Sequence, residues 1–349
     1  MSAMYIRTAA CISPWMLPDE EAWPAAAPEC PGNRFRVKEP DYKPYINPVQ
    51  IRRMSRALKF GFSSAIHCLH HAALLPEAIT IGTGKGCLSD TEGFLHSIQT
   101  YHETALQATP FIHSTYNQLN GMISQSRKIN SYNMTYVHRS LSFESALLDI
   151  QLGFQDGSWK TALCGCFDEV TEEHFEVMKS WGHWKKESCR PDQLLHSVTD
   201  GSVAGEGAAF FFLQSHADSS TPFEIDVLAT MEGPDASFEF IQQHRSLFDS
   251  CDLLLTGENG DRRREARYRF IRQPFLQKPC IGFKPLCGEY DTATGFALWF
   301  STRLLAANHI PDYLFHPLHP VRTQGPVNSV LIYNDTGMQQ SLLRIRKIG

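Results

Sequence analysis

Apolar and polar positions follow two rhythms along this chain, and the rhythms change places repeatedly. Residues 5–12 read as a strand broken by Ser13-Pro14, and the stretch 18–48, rich in proline and charge, is expected to wrap the surface. From Asn47-Pro48 onward, Ile51, Met54, Leu58, Phe62, Ala65, Ile66 and Leu69 recur three or four residues apart, which puts one apolar stripe on a long first helix. Residues 78–82 form a strand that enters the glycine-bearing loop GTGKG. Helical spacing over 90–104 and 116–125 leads to a strand over 132–137 and a helix over 140–153. Strands over 161–164 and 208–213 close this part, and the polar stretch 216–222 suits a junction.

The pattern then repeats. Strands near Ile225, Leu253 and Val330 and helices near Phe238, Arg264 and Phe296 predict a second α/β unit of related layout. The expected organisation is an N-terminal half over 1–217 and a C-terminal half over 218–349. With 349 residues and 42% hydrophobic content, the chain can bury one large core or two fused ones.

Charge and cysteine usage narrow the classes. A net charge of -5 and scattered Lys and Arg, apart from Arg262-Arg263-Arg264, provide no basic field for a phosphate backbone, so no nucleic-acid partner is expected. The longest strongly apolar run, 208–213, is far below the ~20 residues that cross a bilayer. The N-terminus, MSAMYIRTAACISPWM, lacks the basic head, apolar run and cleavage site of a secretory signal, so a soluble cytoplasmic protein without membrane insertion is expected. The ten cysteines show neither metal-ligand pairing nor disulfide-scaffold density and read as reduced packing residues. His67, His70 and His71 could place two imidazoles on one helix face, but no third ligand is spaced to match, and no metal is expected.

Several segments, in order and over nearly the whole chain, resemble the ketosynthase branch of the thiolase superfamily. AACISP resembles the opening strand-turn, and IRRMSR is similar to the family's Arg-Arg-Met-x-Arg signature. The strongest match is RPD followed by DGSVAGEGAAFFFL, whose Gly205-Glu206-Gly207 triplet enters a buried strand. The resemblance implies an α/β thiolase-like fold, two similar halves packed as five layers, αβαβα.

It also implies three losses. Counted without gaps from Asn117 and Gly121, the family's nucleophilic cysteine is replaced by Ser140, preceded by His138-Arg139. The family's first histidine loop corresponds to LLTGENGD, which contains no histidine. In FKPLCGEYDTATG, Lys284 and Gly288 remain but Glu289 stands at the second histidine position. Condensation needs a thiolate to carry the acyl chain and donors for the enolate, so no catalytic residue is expected here. His138, two residues from Ser140, is the one side chain that could rescue it as a Ser-His pair. Lys284 and Glu289, five apart, suit an internal ion pair. The loop that gates the acyl site resembles RTQGPVNSVLI, with Gln324, Gly325 and Asn328 as its counterparts.

Ketosynthases with such losses resemble chain-length factors, the inactive halves of heterodimers in type II polyketide and polyene pathways. The compact length and YIRTAACISP are most like the short ketosynthase-like proteins of aryl-polyene and flexirubin-type pathways. The resemblance implies an active, cysteine-bearing ketosynthase as partner and an acyl carrier protein. No cofactor is expected on this chain, the acyl-phosphopantetheine of the carrier being the substrate of the complex. Residues implied at the tunnel or partner face are Asn117, Gly121, Met134, Tyr136, Ser140 and Phe143, and Arg52, Arg53, Arg56 and Lys59 offer a local basic patch. The alternative is an enzyme with a repurposed site, an acyltransferase, hydrolase or malonyl decarboxylase using Ser140.

Overall fold

The computed structural model describes residues 3–102, 104, 106–233, 236–323 and 325–348. The strands are β1 (Met4–Ile12), β2 (Ala78–Gly82), β3 (Tyr132–Tyr136), β4 (Thr161–Asp168), β5 (Gly207–Gln214), β6 (Phe223–Glu232), β7 (Leu253–Thr256), β8 (Cys280–Gly282), β9 (Ser329–Asp335) and β10 (Gln339–Lys347). The helices are α1 (Pro48–Ile51), α2 (Arg56–Ala72), α3 (Leu88–Tyr101), α4 (Ala108–His113), α5 (Gln118–Arg127), α6 (Ser142–Asp156), α7 (Glu172–Ser180), α8 (Ala236–Gln243), α9 (Arg245–Ser250), α10 (Glu265–Arg272), α11 (Lys284–Cys287) and α12 (Ala293–Ala306).

The strands form one sheet in the order β3-β2-β4-β5-β1-β6-β10-β9-β7-β8. Its two ends are built alike. β2 runs parallel to β3 and β4, and β5 runs antiparallel to β4 and β1. In the second half β7 runs parallel to β8 and β9, and β10 runs antiparallel to β9 and β6. The halves meet where Met4 and Ile6 of β1 pair with Ile225 and Phe223 of β6.

Side-chain alternation along the strands separates three cores, the arrangement of five layers. On β5, Ala208, Phe210 and Phe212 face an outer core under α2 and α5, whereas Ala209, Phe211 and Leu213 face a central one. The run Phe210-Phe211-Phe212 is therefore a strand buried on both faces. In the other half, Leu254, Leu331 and Leu342 face an outer core under α8, α9 and α10, and Leu255, Ile332 and Leu343 face the centre. α6 and α12 fill the central layer, and α12 is buried nearly all round, so it shows no amphipathic stripe. A bulge between Ile6 and Thr8 switches faces along β1, so that Ile6 and Cys11, of opposite parity, both enter the central core.

Three local expectations change. The long first helix is two: α1 ends at Ile51 and α2 begins at Arg56, because Ser55 takes an extended conformation at the start of α2. The apolar spacing continues across the break and conceals it. β8 and β10 are additional strands, the first only three residues long and the second opening on Gln339-Gln340-Ser341. Arg56 leaves the expected basic patch: it turns inward, ion-paired with Glu206 and Glu39.

Candidate functional site

β3 delivers the chain to α6 through a turn in which Arg139 has φ 51, the left-handed region that is costly for a residue with a Cβ. The turn is tied by Ser142, whose hydroxyl accepts from the His138 amide at 2.8 Å and donates to the Arg139 carbonyl at 2.6 Å. Gly82, the last residue of β2, lets α6 start this close: a Cβ there would lie 2.4 Å from the Ser142 backbone. Ser140 thus sits, 4% exposed, just before the first turn of a buried helix.

Its hydroxyl is held by the turn between β9 and β10. Ser140 Oγ donates to Gln339 Oε1 at 2.7 Å and lies 2.8 Å from Thr336 Oγ1. His138 points elsewhere. Its Nε2 lies 3.0 Å from Glu232 Oε1 and its Nδ1 3.4 Å from Ser145 Oγ, with the ring half exposed. The Ser-His pair suggested by strand spacing is therefore absent, because the left-handed turn at Arg139 redirects the chain between the two side chains.

Glu289, the residue expected at the second histidine position, is equally committed. Glu289 takes Lys284 Nζ on Oε1 at 2.6 Å and Asn259 Nδ2 on Oε2 at 2.6 Å. Lys284 is completely buried. Gly205 lets the Glu289 segment dock, since a Cβ there would lie 2.0 Å from the Cys287 carbonyl, and reciprocal backbone bonds then join Gly205 to Glu289 and Glu289 to Val203. Asn259, which sequence reasoning did not single out, comes from the loop after β7 that corresponds to the first histidine loop.

Ser140, Thr336, Gln339, Glu289 and Asn259 line a cavity of about 570 Å³. It receives six carboxyl groups, Asp168, Glu169, Glu232, Asp261, Glu289 and Asp291, against the cations Lys85, Arg139 and Arg264. Lys85 of the GTGKG loop pairs with Asp291. Asp168, at the end of β4, accepts from Thr83 Oγ1, the Gly84 amide and both the amide and hydroxyl of Thr292. Burial, reinforced by the charge of Asp291, raises its acid to about 6. Burial likewise raises Glu169 to about 7, opposed by two hydrogen bonds from Ser89. His174 and His183 are lowered from their ordinary value, first by burial and then by Lys85 and Arg263 respectively.

No thiol reaches this cavity. All ten cysteines have their ionisation raised, burial being the largest cause for each, and none is poised as a thiolate. Cys164 and Cys166 flank Gly165, where a Cβ would lie 2.1 Å from the Phe210 ring, so this segment is tight packing between β4 and β5. Among the described residues no three His, Cys, Asp or Glu side chains converge in a way that could hold a metal. His67 and His71 stack at 4.2 Å, and His67 Nδ1 lies 3.2 Å from Tyr45 Oη.

The remaining candidate residues separate. Asn117, Gly121 and Met134 are exposed, Tyr136 is half-buried, and all lie on α5, at its start, or on the edge strand β3. Phe143, expected at a tunnel or partner face, is fully buried in the central core against Phe211 and outside the cavity lining. Gly325 and Asn328, expected at the gate, are exposed at the far end of β9 from Ser140, and Gln324 lies outside the described residues. The segment meeting Ser140 is instead the turn after β9, through Thr336 and Gln339.

The motifs converge beneath the cavity. Glu206 of the Gly-Glu-Gly triplet pairs with Arg56 of IRRMSR and accepts from the amides of Val37 at 2.9 Å and Val170 at 3.0 Å. It is completely buried, and its Coulombic attraction and hydrogen bond help hold the Arg56 guanidinium above its ordinary range despite the opposing desolvation.

The whole chain superposes on solved structures at low identity. It matches "The ishigamide ketosynthase/chain length factor" with a TM-score of 0.78 at 14% identity over 100% of both chains. A β-ketoacyl synthase from Burkholderia phymatum STM815 gives a TM-score of 0.78 at 13% identity over 100% of both chains. A ketosynthase in complex with its chain length factor from Xenorhabdus doucetiae gives 0.72 at 12% identity over 99% of this chain and 98% of that one. No curated protein matches by sequence. Residues 34–219, more than half of the chain, match the model of the β-ketoacyl synthase N-terminal domain, and the protein belongs to the β-ketoacyl synthase family.

Proposed function

We propose that this chain is a non-catalytic, chain-length-factor-like subunit. It pairs with an active, cysteine-bearing ketosynthase and shapes the tunnel for a growing polyene or polyketide chain carried by an acyl carrier protein. The observation that carries the reading is the occupied site: Ser140 is held by Gln339 and Thr336, and Glu289 is committed to Lys284 and Asn259. A condensing site needs a free nucleophile and free donors, and here each equivalent already has a partner.

The exposed surface supports the pairing. β3 is an end strand of the sheet, and Tyr132 and Met134 on it and Val137 just after it are exposed. More than half of the large apolar side chains exposed among the described residues fall between residues 95 and 152, including Leu148 and Leu152 on α6 next to β3. Such a concentration fits a protein partner. Two of the similar structures are described as a ketosynthase with a chain length factor. Another is described as a type II polyketide acyl-carrier protein in complex with its ketosynthase, with a TM-score of 0.73 at 13% identity over 99% of both chains. A Ser140-based enzyme is disfavoured because His138 is turned to Glu232 and no base reaches the hydroxyl.

The test is co-expression with a cysteine-bearing ketosynthase and a carrier protein, followed by co-purification and measurement of product length. A complex that survives Ser140→Ala with unchanged activity and is broken by Met134→Asp is the expected result. An acyl adduct on Ser140, or no complex with any such ketosynthase, overturns the reading.

A further inference from the structure

The site is closed in a second way that does not depend on the missing thiol. Gln339 is 6% exposed, and both ends of its amide are committed. Oε1 accepts the Ser140 hydroxyl at 2.7 Å, and Nε2 donates to Glu232, which in turn meets His138 Nε2 at 3.0 Å. The side chain cannot swing aside without breaking bonds at both ends. Its backbone is equally constrained. Gln339 pairs with Glu232 in the β10-β6 register, Thr336 N donates to the Gln339 carbonyl at 3.0 Å, and Gly233 N donates to the Met338 carbonyl at 2.8 Å.

An acyl carbonyl attacked by residue 140 must bring its carbon to roughly 3–3.5 Å from the nucleophilic atom, along an open line. That shell already holds two heavy atoms, Gln339 Oε1 at 2.7 Å and Thr336 Oγ1 at 2.8 Å. Thr336 lies in the turn between β9 and β10 and Gln339 opens β10, and this hairpin reaches Ser140 from about two hundred residues further along the chain.

We propose that Gln339 is a lock on position 140, a positioning residue whose amide fills the approach to the nucleophile site, so that restoring a thiol alone does not restore its reactivity. The proposal rests on reading Ser140 as the family's nucleophile position. An amide oxygen facing a thiol also accepts its proton and so holds the neutral form.

The test uses the full chain. Ser140→Cys is compared with Ser140→Cys/Gln339→Ala and Ser140→Cys/Gln339→Ser, the second double variant serving if the first fails to fold. Each is treated with iodoacetamide under native conditions. The thiolate forms a sulfur-carbon bond, iodide leaves, and the thiol proton passes to solvent. Modification of the peptide holding residue 140 is followed by mass spectrometry, since nine of the ten native cysteines are buried and Cys189 is partly exposed. The double variants are expected to react about tenfold faster than the single one, the rate equivalent of one buried hydrogen bond that no longer has to break. The pH midpoint of the rate is expected to fall with the loss of the acceptor, a change that simple loosening of the turn would not produce. Equal rates and equal midpoints in folded single and double variants overturn the lock. Pairing with a ketosynthase is read separately by co-purification, so either idea can fail without the other.

Discussion

The Arg56-Glu206 brace and the Ser140 turn both belong to the first half of the chain, and they are held together by opposite means. The brace keeps its charged residues, completely buried at Glu206 and bonded to two backbone amides. The turn lies where Gly82 admits α6, and it presents the Ser140 hydroxyl to two neutral side chains, Thr336 and Gln339. In this chain the first region is a buried charge pair anchored on backbone amides, and the second is a set of neutral polar groups that satisfy one another. Buried polar groups in either place must be paired, so removing partners separates what holds the fold from what merely fills the site.

The largest effect is expected at the brace. Glu206→Ala leaves Arg56 without its buried partner and orphans the amides of Val37 and Val170, costing about 4 kcal/mol in urea unfolding. A cost under about 1 kcal/mol would break the comparison, since the retained motif would then hold nothing. Next, Glu289→Ala strands the completely buried Lys284 and should cost about 3 kcal/mol. Lys284→Met should cost only about 1 kcal/mol, because Glu289 keeps Asn259 and faces the cavity.

The acidic wall of the cavity makes a pH-dependent contribution of intermediate size. Glu169 is raised in the folded chain to about 7, so its protonated form is favoured by folding. That contribution is full below the ordinary glutamate range and is lost as pH rises through 7. Relative to Glu169→Gln, the native chain should lose roughly 2–3 kcal/mol between about pH 4.5 and 7.5 in urea unfolding. A constant difference between the two across that range would place the charge of Glu169 elsewhere. The smallest effect belongs to His138, half exposed beside an exposed Glu232. His138→Ala should shift stability by less than about 0.5 kcal/mol and leave partner activity unchanged, whereas a loss of activity would revive it as a working base.

The elements themselves were largely legible, because core strands such as β5 and periodic helices such as α2 announce themselves over a few residues. The misplaced gate shows where that legibility ends. The stretch 324–328 keeps Gly325 and Asn328 of a gating loop although Pro326 stands in place of a glycine, whereas β10 opens on Gln339-Gln340-Ser341 and hides the hairpin whose turn, at Gly337 with φ 95, lies beside Ser140. Phe143, three residues from Ser140 in the sequence, is placed in the central core, a position that adjacency along the chain does not reveal.

By itself the sequence determined the alternation of strands and helices, the absence of a cysteine at position 140 and of histidines in the segments 253–261 and 283–295, and the Lys284-Glu289 pairing, whose members are five residues apart. These are local properties, set by periodicity, residue identity and short spacing. Tertiary structure alone decided that Gln339 covers Ser140, that Asn259 completes the bonds of Glu289, that His138 faces Glu232, and that Arg56 is a buried brace and not a docking charge. Each of those contacts joins residues brought together by the sheet order, where a shift of one residue turns a side chain to the opposite face, and no local pattern encodes such a register.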